Sequence, residues 1–319
     1  MIKLRLKWLR LLAQKHIDLE ISNSPKLRTR IVERPGLWMT SAELGLLRND
    51  LRSIAAKTLA AKDLNYGVFS ADLSVFEHLV ITVVYRIEDH RPIAFNALRL
   101  MPCDLGAEKH EVLHLGLVMV DPDERSHGLS WVLYGLTCFL LFLRNQFRPL
   151  WVSNVTQVPA VVGMVSTTFS KVYPNPARKT RQSLKHLLLG RAVMKHYRYA
   201  FGVDNEAGFD EMRSVITDAY KGGSDNLKKR FEEAAPHRDP IFNVYCQTTL
   251  DYERGDDVLQ LGKIDLAAAQ SYLRHQVPRK SLRSLLTAVG FILLQRLFLP
   301  VFHWFDTARS WKTLRPFER

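Results

Sequence analysis

Cysteine is scarce in this chain of 319 residues, and the three present, Cys103, Cys138 and Cys246, lie far from one another. No histidines accompany them at the intervals of a metal site, so the pattern argues against both a disulfide framework and a zinc module. Glycine and proline, at 16 and 14 residues, are not enriched either. These glycine and proline contents exclude collagen-like and low-complexity chains. The scarcity of cysteine makes a reducing cytoplasm the expected compartment.

The middle of the chain lacks net charge. The overall net charge is +13, but residues 1–30 carry +6 and residues 274–319 carry +7, so that residues 31–273 are balanced. The excess belongs to two terminal arms rather than to a basic globular face. Because the cations of both arms alternate with bulky aliphatic side chains, they do not form the polar basic patch that is typical of nucleic-acid binding.

The N-terminal arm, residues 1–25, is apolar as well as basic. It begins MIKLRLKWLRLLAQ, in which Lys3, Lys7 and Arg10 fall on one helical stripe between aliphatic residues. This pattern predicts an amphipathic helix with a basic polar face, of the kind that lies in a membrane surface. The charges interleave with the apolar residues and no small-residue cleavage site follows, which is unlike a signal peptide.

The C-terminal arm, residues 278–319, is strongly apolar from 285 to 305 and is bracketed by basic residues. Arg296 and Pro300 interrupt the apolar run, and a central arginine costs about 2.5–3.5 kcal/mol on membrane-insertion scales. We therefore predict that this arm lies in the interface rather than spanning the bilayer, and that the protein is peripheral to the cytoplasmic face of the membrane. Docking of the arms on the core or on a partner subunit is the alternative.

Between the arms, the hydrophobic pattern alternates between strands and helices. β-Branched runs predict strands, and apolar residues at helical spacing predict helices. In chain order these are a strand at 26–34, a helix at 41–62, strands at 78–87, 93–101 and 111–120, a helix at 129–145, a strand at 150–154 and a helix at 158–171. The order predicts a mixed α/β fold, in the α+β sense, with a mostly antiparallel sheet flanked by helices.

The pattern changes after residue 174. Residues 175–240 are polar and helical in pattern, and we expect a helical insertion there. Its cations between residues 178 and 198 have no acid among them, which predicts a solvated helix face or a surface for an acidic carrier protein or lipid headgroups. Within residues 241–277, we expect a closing β-hairpin of 241–250 and 258–266, followed by a helix at 267–276.

A loop suited to phosphate follows the strand predicted at 111–120. Val120 ends that strand, and Arg125-Ser126-His127-Gly128-Leu129-Ser130 opens the next helix. Backbone N–H groups and the helix N-terminus would face an anion at this position. Gly128 would let the backbone approach the anion closely, and Arg125 would bind it in a bidentate manner.

The spacing Val120-x4-Arg125-x-x-Gly128-x-Ser130 resembles motif A of the GNAT N-acyltransferase superfamily, in which an apolar residue and four further residues precede Gln/Arg-x-x-Gly-x-Gly/Ala. Ser130 stands where the family has glycine or alanine. Asn154 resembles the asparagine that follows the family's fifth strand. The motif and the asparagine together carry the resemblance.

The order of the predicted elements is also similar to that fold over residues 28–174. The family runs strand, two helices, three antiparallel strands, the pyrophosphate loop and its helix, a fifth strand, a helix and a closing hairpin. The resemblance therefore implies a GNAT-like core at 26–174. Residues 175–240 would then be an insertion, and both termini would be extensions.

The resemblance implies transfer of an acyl group from a pantetheine thioester, either acyl-CoA or acyl-carrier protein as co-substrate, to an amine, without a metal. Backbone N–H groups of Met119 and Val120 would hold the thioester carbonyl, whose oxygen gains charge in the transition state. The remaining donor-binding residues would be Arg125, Ser126, His127, Gly128, Leu129, Ser130 and Asn154.

The family's general base lies eleven residues before the motif arginine, and His114 occupies that position here. A histidine titrates near neutrality and can accept the proton of an attacking amine, although a structural, hydrogen-bonded strand histidine is the alternative. Glu111 is a second candidate base, but strand alternation puts it on the opposite face from His114. The family's acid position, a tyrosine, is Gly163 here, which leaves Tyr173 as the candidate acid.

These observations predict an N-acyltransferase at the membrane surface, with a long-chain donor and an amino-acid or amino-lipid acceptor. The alternatives are an acetyl-CoA-dependent N-acetyltransferase of a small amine or protein, and a non-catalytic GNAT-fold module that binds acyl-CoA. A nucleic-acid-binding protein that uses the basic arms is a further alternative, and it would show affinity that falls steeply with salt.

Overall fold

The computed structural model describes residues 15–57, 67–106, 108–124, 129, 131–221 and 228–304. These residues form a mixed α/β fold around one ten-stranded, mostly antiparallel sheet, which confirms the predicted fold class. The amphipathic helix predicted at the N-terminus lies outside the described residues, as does the end of the C-terminal arm after residue 304.

The sheet has the strand order β1-β2-β3-β4-β5-β6-β10-β9-β8, with β7 also paired with β10. Helices cover both faces of the sheet, so its central strands are buried on both sides rather than on alternate residues. In β3, for example, seven of the eight residues are buried. The strands are β1 (Asp18–Ser24), β2 (Leu27–Glu33), β3 (Leu79–Arg86), β4 (Pro92–Leu105), β5 (Glu108–Val120), β6 (Leu150–Thr156), β7 (Ser170–Tyr173), β8 (Gly208–Asp210), β9 (Val215–Thr217) and β10 (Asp257–Ile264).

Seven α-helices accompany the sheet within the described residues: α1 (Ser41–Ala55), α2 (Thr137–Arg144), α3 (Pro159–Thr168), α4 (Leu184–Tyr197), α5 (Pro240–Thr249), α6 (Leu266–His275) and α7 (Leu282–Trp304). The helix α1 begins with a capping box, in which Thr40 Oγ1 accepts a hydrogen bond from the Glu43 N–H and Glu43 Oε2 accepts one from the Thr40 N–H. A π-helical turn, Trp131–Leu136, leads into α2.

The helices pack in two layers. On one face of the sheet, α2, α3, α6 and α7 share the largest apolar cluster with strands β1 to β6. On the other face, α1 packs on β3, β4 and β5, and α4 packs on β4, β5 and β6. The helix α7 contributes Leu285, Ala288 and Ile292 to the first cluster. None of the helices in the described part of the chain is both long and apolar enough to cross a bilayer.

The predicted closing hairpin of 241–250 and 258–266 is wrong. Residues 240–249 form α5, which begins after Asp239, whose Oδ1 accepts a hydrogen bond from the Ile241 N–H at 3.1 Å. Phe242 and Cys246, four residues apart, are the buried positions of this helix, so its apolar spacing is helical rather than alternating. The strand β10 is present, but it pairs with β6, β7 and β9.

Two other boundaries differ from the sequence analysis. The N-terminal arm, expected to end at residue 25, contributes β1 to the sheet edge, where Arg30 of β2 donates to the Asp18 carboxylate at 2.9 Å. Where it is described, the insertion at 175–240 is helical only in α4 and in single 3-10 turns, and its short strands β8 and β9 extend the sheet beyond β10.

A β-bulge interrupts β5 beside β4. Ala97 pairs with Leu117 but Arg99 pairs with His114, so two residues of β5 oppose Leu98. Gly116 is one of the two, and a Cβ atom at this position would lie 2.5 Å from the Ala97 carbonyl oxygen. The absence of a side chain at Gly116 therefore lets the strands stay close at the bulge. The bulge changes which face the later residues of β5 present.

Candidate functional site

The candidate site begins where two neighbouring strands separate. In the described strands, β5 and β6 form the one parallel pair, and they pair over three positions only, from Val112–Trp151 to His114–Ser153. Beyond that point β5 continues for six residues and β6 for three. The backbone groups of β5 that face this gap therefore have no strand partner.

A cavity of about 190 Å³ lies at this fork. Its walls come from residues 67–79 before β3, from β4 and β5 on either side of the bulge, from Val155 of β6, and from residues 200–201 after α4. The lining is mostly apolar, with Arg99 and His114 as its charged or titratable side chains among the described residues. Such a pocket, apolar with a few convergent polar groups, is a typical ligand site.

His114, the predicted general base, lines this cavity. It is 3% exposed, and its Nδ1 lies 3.1 Å from Ser153 Oγ on the adjacent strand. Its ring packs on the ring of Phe201, with the centroids 5.0 Å apart. When Nδ1–H donates to Ser153, the lone pair of Nε2 is left to a molecule in the cavity.

Burial, with the nearby charge of Arg99, lowers the pKa of His114 to about 4. The imidazole is therefore neutral at pH 7 and has a lone pair for a proton, but it does not titrate near neutrality as expected, and the lowered pKa makes it a weaker base than an ordinary histidine. The same burial disfavours a resting imidazolium, so that a proton taken up during a reaction would be passed on to solvent or substrate.

Arg99, which the sequence analysis did not single out, is the second polar group of the cavity. It stands opposite His114 on β4. Its guanidinium lies over the ring of Tyr199 at 5.4 Å, and its buried Nε has no hydrogen-bond partner in the described part of the chain. No acidic side chain within those residues forms an ion pair with it. A lone arginine in the apolar run IAFNALRLM was the only sequence signal for this role.

The two other predicted catalytic residues lie elsewhere. Glu111 is on the opposite face of β5 from His114, where it pairs with Arg34 at 3.0 Å, and burial raises its pKa. Tyr173 is on β7, outside the cavity lining, and its hydroxyl donates to the backbone carbonyl of Met212. The structure therefore does not bring either group to His114.

The pairing of β5 with β4 decides which backbone groups face the gap. The Asp121 N–H donates to the Ile93 carbonyl oxygen of the β4 side at 2.8 Å. Because N–H directions alternate along a strand, the N–H groups of Val120 and Val118 are directed to the gap, and that of Met119 is directed to β4. The N–H groups of Met119 and Val120 were predicted to hold a thioester carbonyl. The direction of the Val120 N–H fits that prediction, and the direction of the Met119 N–H does not. The Val118 N–H, which was not predicted, also faces the gap.

The predicted phosphate loop is only partly within the described residues. Arg125, Ser126, His127, Gly128 and Ser130 lie outside them. Leu129 is described, and its side chain is buried in the core under β5 and α2, so its contribution to a donor site would be through its backbone. Its carbonyl accepts the Val132 N–H at 3.0 Å, so the chain turns here from β5 into the helix.

Two of the three carboxylates that precede this loop are paired with cations from other elements. Asp121 is paired with Arg91 at 3.0 Å and with Lys57, and Glu124 is paired with Arg86. These pairs offset the negative charge that would otherwise oppose an anion beside the loop.

Asn154 lies inside β6, where it pairs with Gln260 of β10, rather than after the strand. It neighbours Ser153 and so presents its side chain to the opposite face from His114. Its Nδ2 is buried and donates to no described residue. A buried amide without an acceptor is a costly arrangement.

Comparisons with known proteins add little. No family model matches the chain, and no curated protein is significantly similar to it. Among solved structures, a tetramutant of the BH1408 protein from Bacillus halodurans is similar over 37% of this chain and 76% of that chain, with 10% sequence identity and a TM-score of 0.23. A likeness of that level carries no argument about fold or function.

The burial of His114 predicts a loss of stability in acid. Its ordinary pKa is 6.5 and its pKa in the folded protein is about 4, so the unfolded chain binds a proton that the folded chain does not between these values. This contribution to stability is complete above pH 6.5 and declines by up to about 1.4 kcal/mol per pH unit towards pH 4. In His114→Gln, the free energy of unfolding in urea should fall less steeply over this range.

The matched control is His196→Gln, which removes an exposed histidine and should keep the wild-type pH dependence. Equal slopes for His114→Gln and the wild type would show that His114 is not held in its neutral form by burial.

Proposed function

We propose that this protein is an N-acyltransferase that moves an acyl group from a pantetheine thioester to an amine. The thioester lies in the gap between β5 and β6, and His114 is the general base. The observation that carries the proposal is the separation of this parallel pair immediately after His114 and Ser153, which opens a cavity at the histidine.

The element order supports the proposal. It runs β2, α1, then β3, β4 and β5, the loop that contains Arg125, the helix α2, β6 and α3. The resemblance to the GNAT superfamily implies this order except for a second helix between β2 and β3, where the described residues hold 3-10 turns. The antiparallel strands β7 and β10 take the place of the closing pair, and residues 174–256 stand between them as the insertion.

The backbone of β5 would hold the reacting thioester. The N–H of Val118, the nearer of the two to His114 along β5, would donate to its carbonyl oxygen and stabilise the negative charge that develops there. The N–H of Val120, two residues further along the strand, would donate to a second acceptor of the donor molecule. The amine nitrogen forms a bond to the carbonyl carbon, the electron pair of the C=O bond moves to oxygen, and the intermediate collapses with loss of the thiolate. Nε2 of His114 would take the proton of the attacking nitrogen.

Arg99 supports an acceptor that carries a carboxylate, such as an amino acid. Its guanidinium sits in the same small cavity as His114 and is not paired with a described acidic side chain. A carboxylate would supply that counter-ion, and the adjacent amine would then be fixed near the base. A cavity of about 190 Å³ suits a small acceptor head rather than a drug-sized molecule.

Attachment to the membrane surface is supported by α7. Leu286, Leu293, Leu294 and Leu297 of this helix are between 46% and 71% exposed. A helix with this apolar outer surface and basic neighbours suits the bilayer interface. A surface position would give the enzyme access to long-chain donors and to products that stay in the lipid, and the two arms would hold it at the cytoplasmic leaflet.

Replacing His114 tests the chemistry. His114→Gln should lower kcat/KM by about 10²- to 10⁴-fold, the usual contribution of a general base, with little effect on donor affinity. Release of free thiol from acetyl-CoA and palmitoyl-CoA, in the presence of mixed amino acids, measures turnover, and calorimetry measures donor binding. Wild-type turnover in the variant would refute the role of His114. Donor binding without turnover in the wild type would favour the non-catalytic module instead.

Replacing Arg99 tests the acceptor class. Arg99→Met should raise KM for an amino-acid acceptor about 10- to 100-fold, the loss expected for a charge-assisted hydrogen-bonded contact, and leave kcat for saturating acceptor nearly unchanged. The methyl ester of the same amino acid, which lacks the carboxylate charge, should be used equally by the variant and the wild type. If Arg99→Met raises KM equally for the ester and for the free acid, Arg99 does not bind the carboxylate.

A further inference from the structure

A second, larger cavity lies on the other face of the sheet from His114. Its volume is about 460 Å³, and it is formed by the end of β2, the connection from α2 to β6, and one side of α7. Glu111 lines it, three residues along β5 from His114 and on the opposite face. No part of this cavity is used in the proposed transfer reaction.

The cavity is strongly cationic. Five lysines and arginines line it, and Glu33 and Glu111 are its carboxylates, which gives the lining a net charge of +3. Both carboxylates are already engaged, Glu33 with Arg144 and Glu111 with Arg34. His16 adds no charge at pH 7, because burial lowers its pKa to about 4.

Three cations are left over, namely Lys15, Arg148 and Arg296. None of them forms an ion pair with an acidic residue in the described ranges. Arg296 is half-buried, and burial together with the nearby charge of Arg144 lowers the pKa of its guanidinium. Lys15 and Arg148 are exposed, so of the three cations Arg296 alone loses solvation without a counter-ion, a cost that an anion in the cavity would offset.

The helix that supplies Arg296 also supplies an apolar surface beside it. Ile292 and Gln295 of α7 line the cavity, while Leu293, Leu294 and Leu297 of the same two turns are exposed. No aspartate or glutamate occurs between residues 282 and 304. A leucine surface next to a cationic pocket matches the two parts of an anionic phospholipid, its acyl chains and its headgroup.

We propose that this cavity binds the phosphate headgroup of an anionic phospholipid while the outer face of α7 lies among the acyl chains. Arg296 and Arg148 contact the phosphate oxygens, for which guanidinium groups have matching geometry, and Lys15 adds charge. The inference rests on the membrane-surface part of the proposed function and does not depend on acyl transfer. It assigns the sheet two separate ligand faces, one for acceptor and donor and one for the membrane.

The test measures co-sedimentation of the full chain with vesicles, without donor or acceptor. Vesicles of phosphatidylcholine mixed with phosphatidylglycerol should bind the protein more tightly than phosphatidylcholine alone. Each lysine or arginine near an anionic surface contributes about 1 kcal/mol, which is about fivefold in affinity. Two independent surface charges would account for a change in affinity of about 25-fold. Because two cations contact the headgroup directly, the affinity of Arg148→Gln/Arg296→Gln for vesicles with phosphatidylglycerol should fall by more than that.

The matched control is Arg283→Gln, an exposed arginine of the same helix that does not line the cavity. The affinity of this variant for vesicles with phosphatidylglycerol should fall by no more than about fivefold. Leu293→Glu, which changes the outer face alone, should weaken binding to both kinds of vesicle. Thermal unfolding of each variant checks that the fold is retained, and thiol release from acyl-CoA, measured separately, shows whether the proposed transfer activity holds or fails on its own.

Several results would overturn the proposal. One is a loss of affinity in Arg148→Gln/Arg296→Gln of no more than the roughly 25-fold expected for two surface charges like Arg283, which would indicate unspecific attraction by charge. Another is saturable binding of glycerol 3-phosphate that prevents vesicle binding, which would make this a site for a free phosphate ester. Absence of preference for phosphatidylglycerol, or binding of an acidic carrier protein in place of vesicles, would contradict it equally.

Discussion

The site depends on the point at which the parallel strands β5 and β6 stop pairing. Backbone N–H and C=O groups need partners, and a strand edge inside a sheet is costly unless something fills the gap. In this protein the pairing ends at His114 and Ser153, and the bulge at Gly116 follows at once on the other edge of β5. The cavity, the open N–H groups of Val118 and Val120, and the position of the buried histidine all result from that separation. A thioester in extended conformation is the kind of ligand that would complete such an edge.

Segments that are distant in sequence hold the fork open. The turn after α4 places Phe201 against His114, residues 67–79 close the cavity from the side of α1, and β10 keeps β6 in the sheet. The cations Lys57, Arg86 and Arg91 pair with Asp121 and Glu124 at the end of β5, which reduces the repulsion of anions before the loop. On the reverse face, α2 and α7 surround the cationic cavity. The sheet thus separates the proposed reaction site from the proposed lipid site, and β5 contributes residues to both cavities.

Much of this could be predicted from local patterns. Residue types and spacing predict the helix α1, the central strands β3 to β6 and the helix after the loop. The resemblance to the GNAT motif identified His114 as the candidate base, because it lies eleven residues before Arg125. What depends on register could not be predicted. Arg99 faces the cavity because β4 pairs with β5 across a bulge, and Val118 rather than Met119 opens to the gap for the same reason. Residues 241–250 resemble a strand in composition, but the cap at Asp239 and the burial of Phe242 and Cys246 make them a helix. The strand β1 does carry an alternating signal, in which Leu19 and Ile21 are separated by polar residues, but the sequence analysis assigned it to the basic N-terminal arm.

Amide hydrogen exchange by NMR, with and without a non-hydrolysable acyl-CoA analogue, tests the central claim most directly. If the donor lies along the open edge of β5, exchange at Val118 and Val120 should slow when the analogue binds, while Met119, directed to β4, should change little. Arg125→Ala should abolish the slowing at analogue concentrations that protect the wild type. Binding of the analogue with unchanged exchange at Val118 and Val120, or with protection confined to the opposite face of the sheet, would contradict the account.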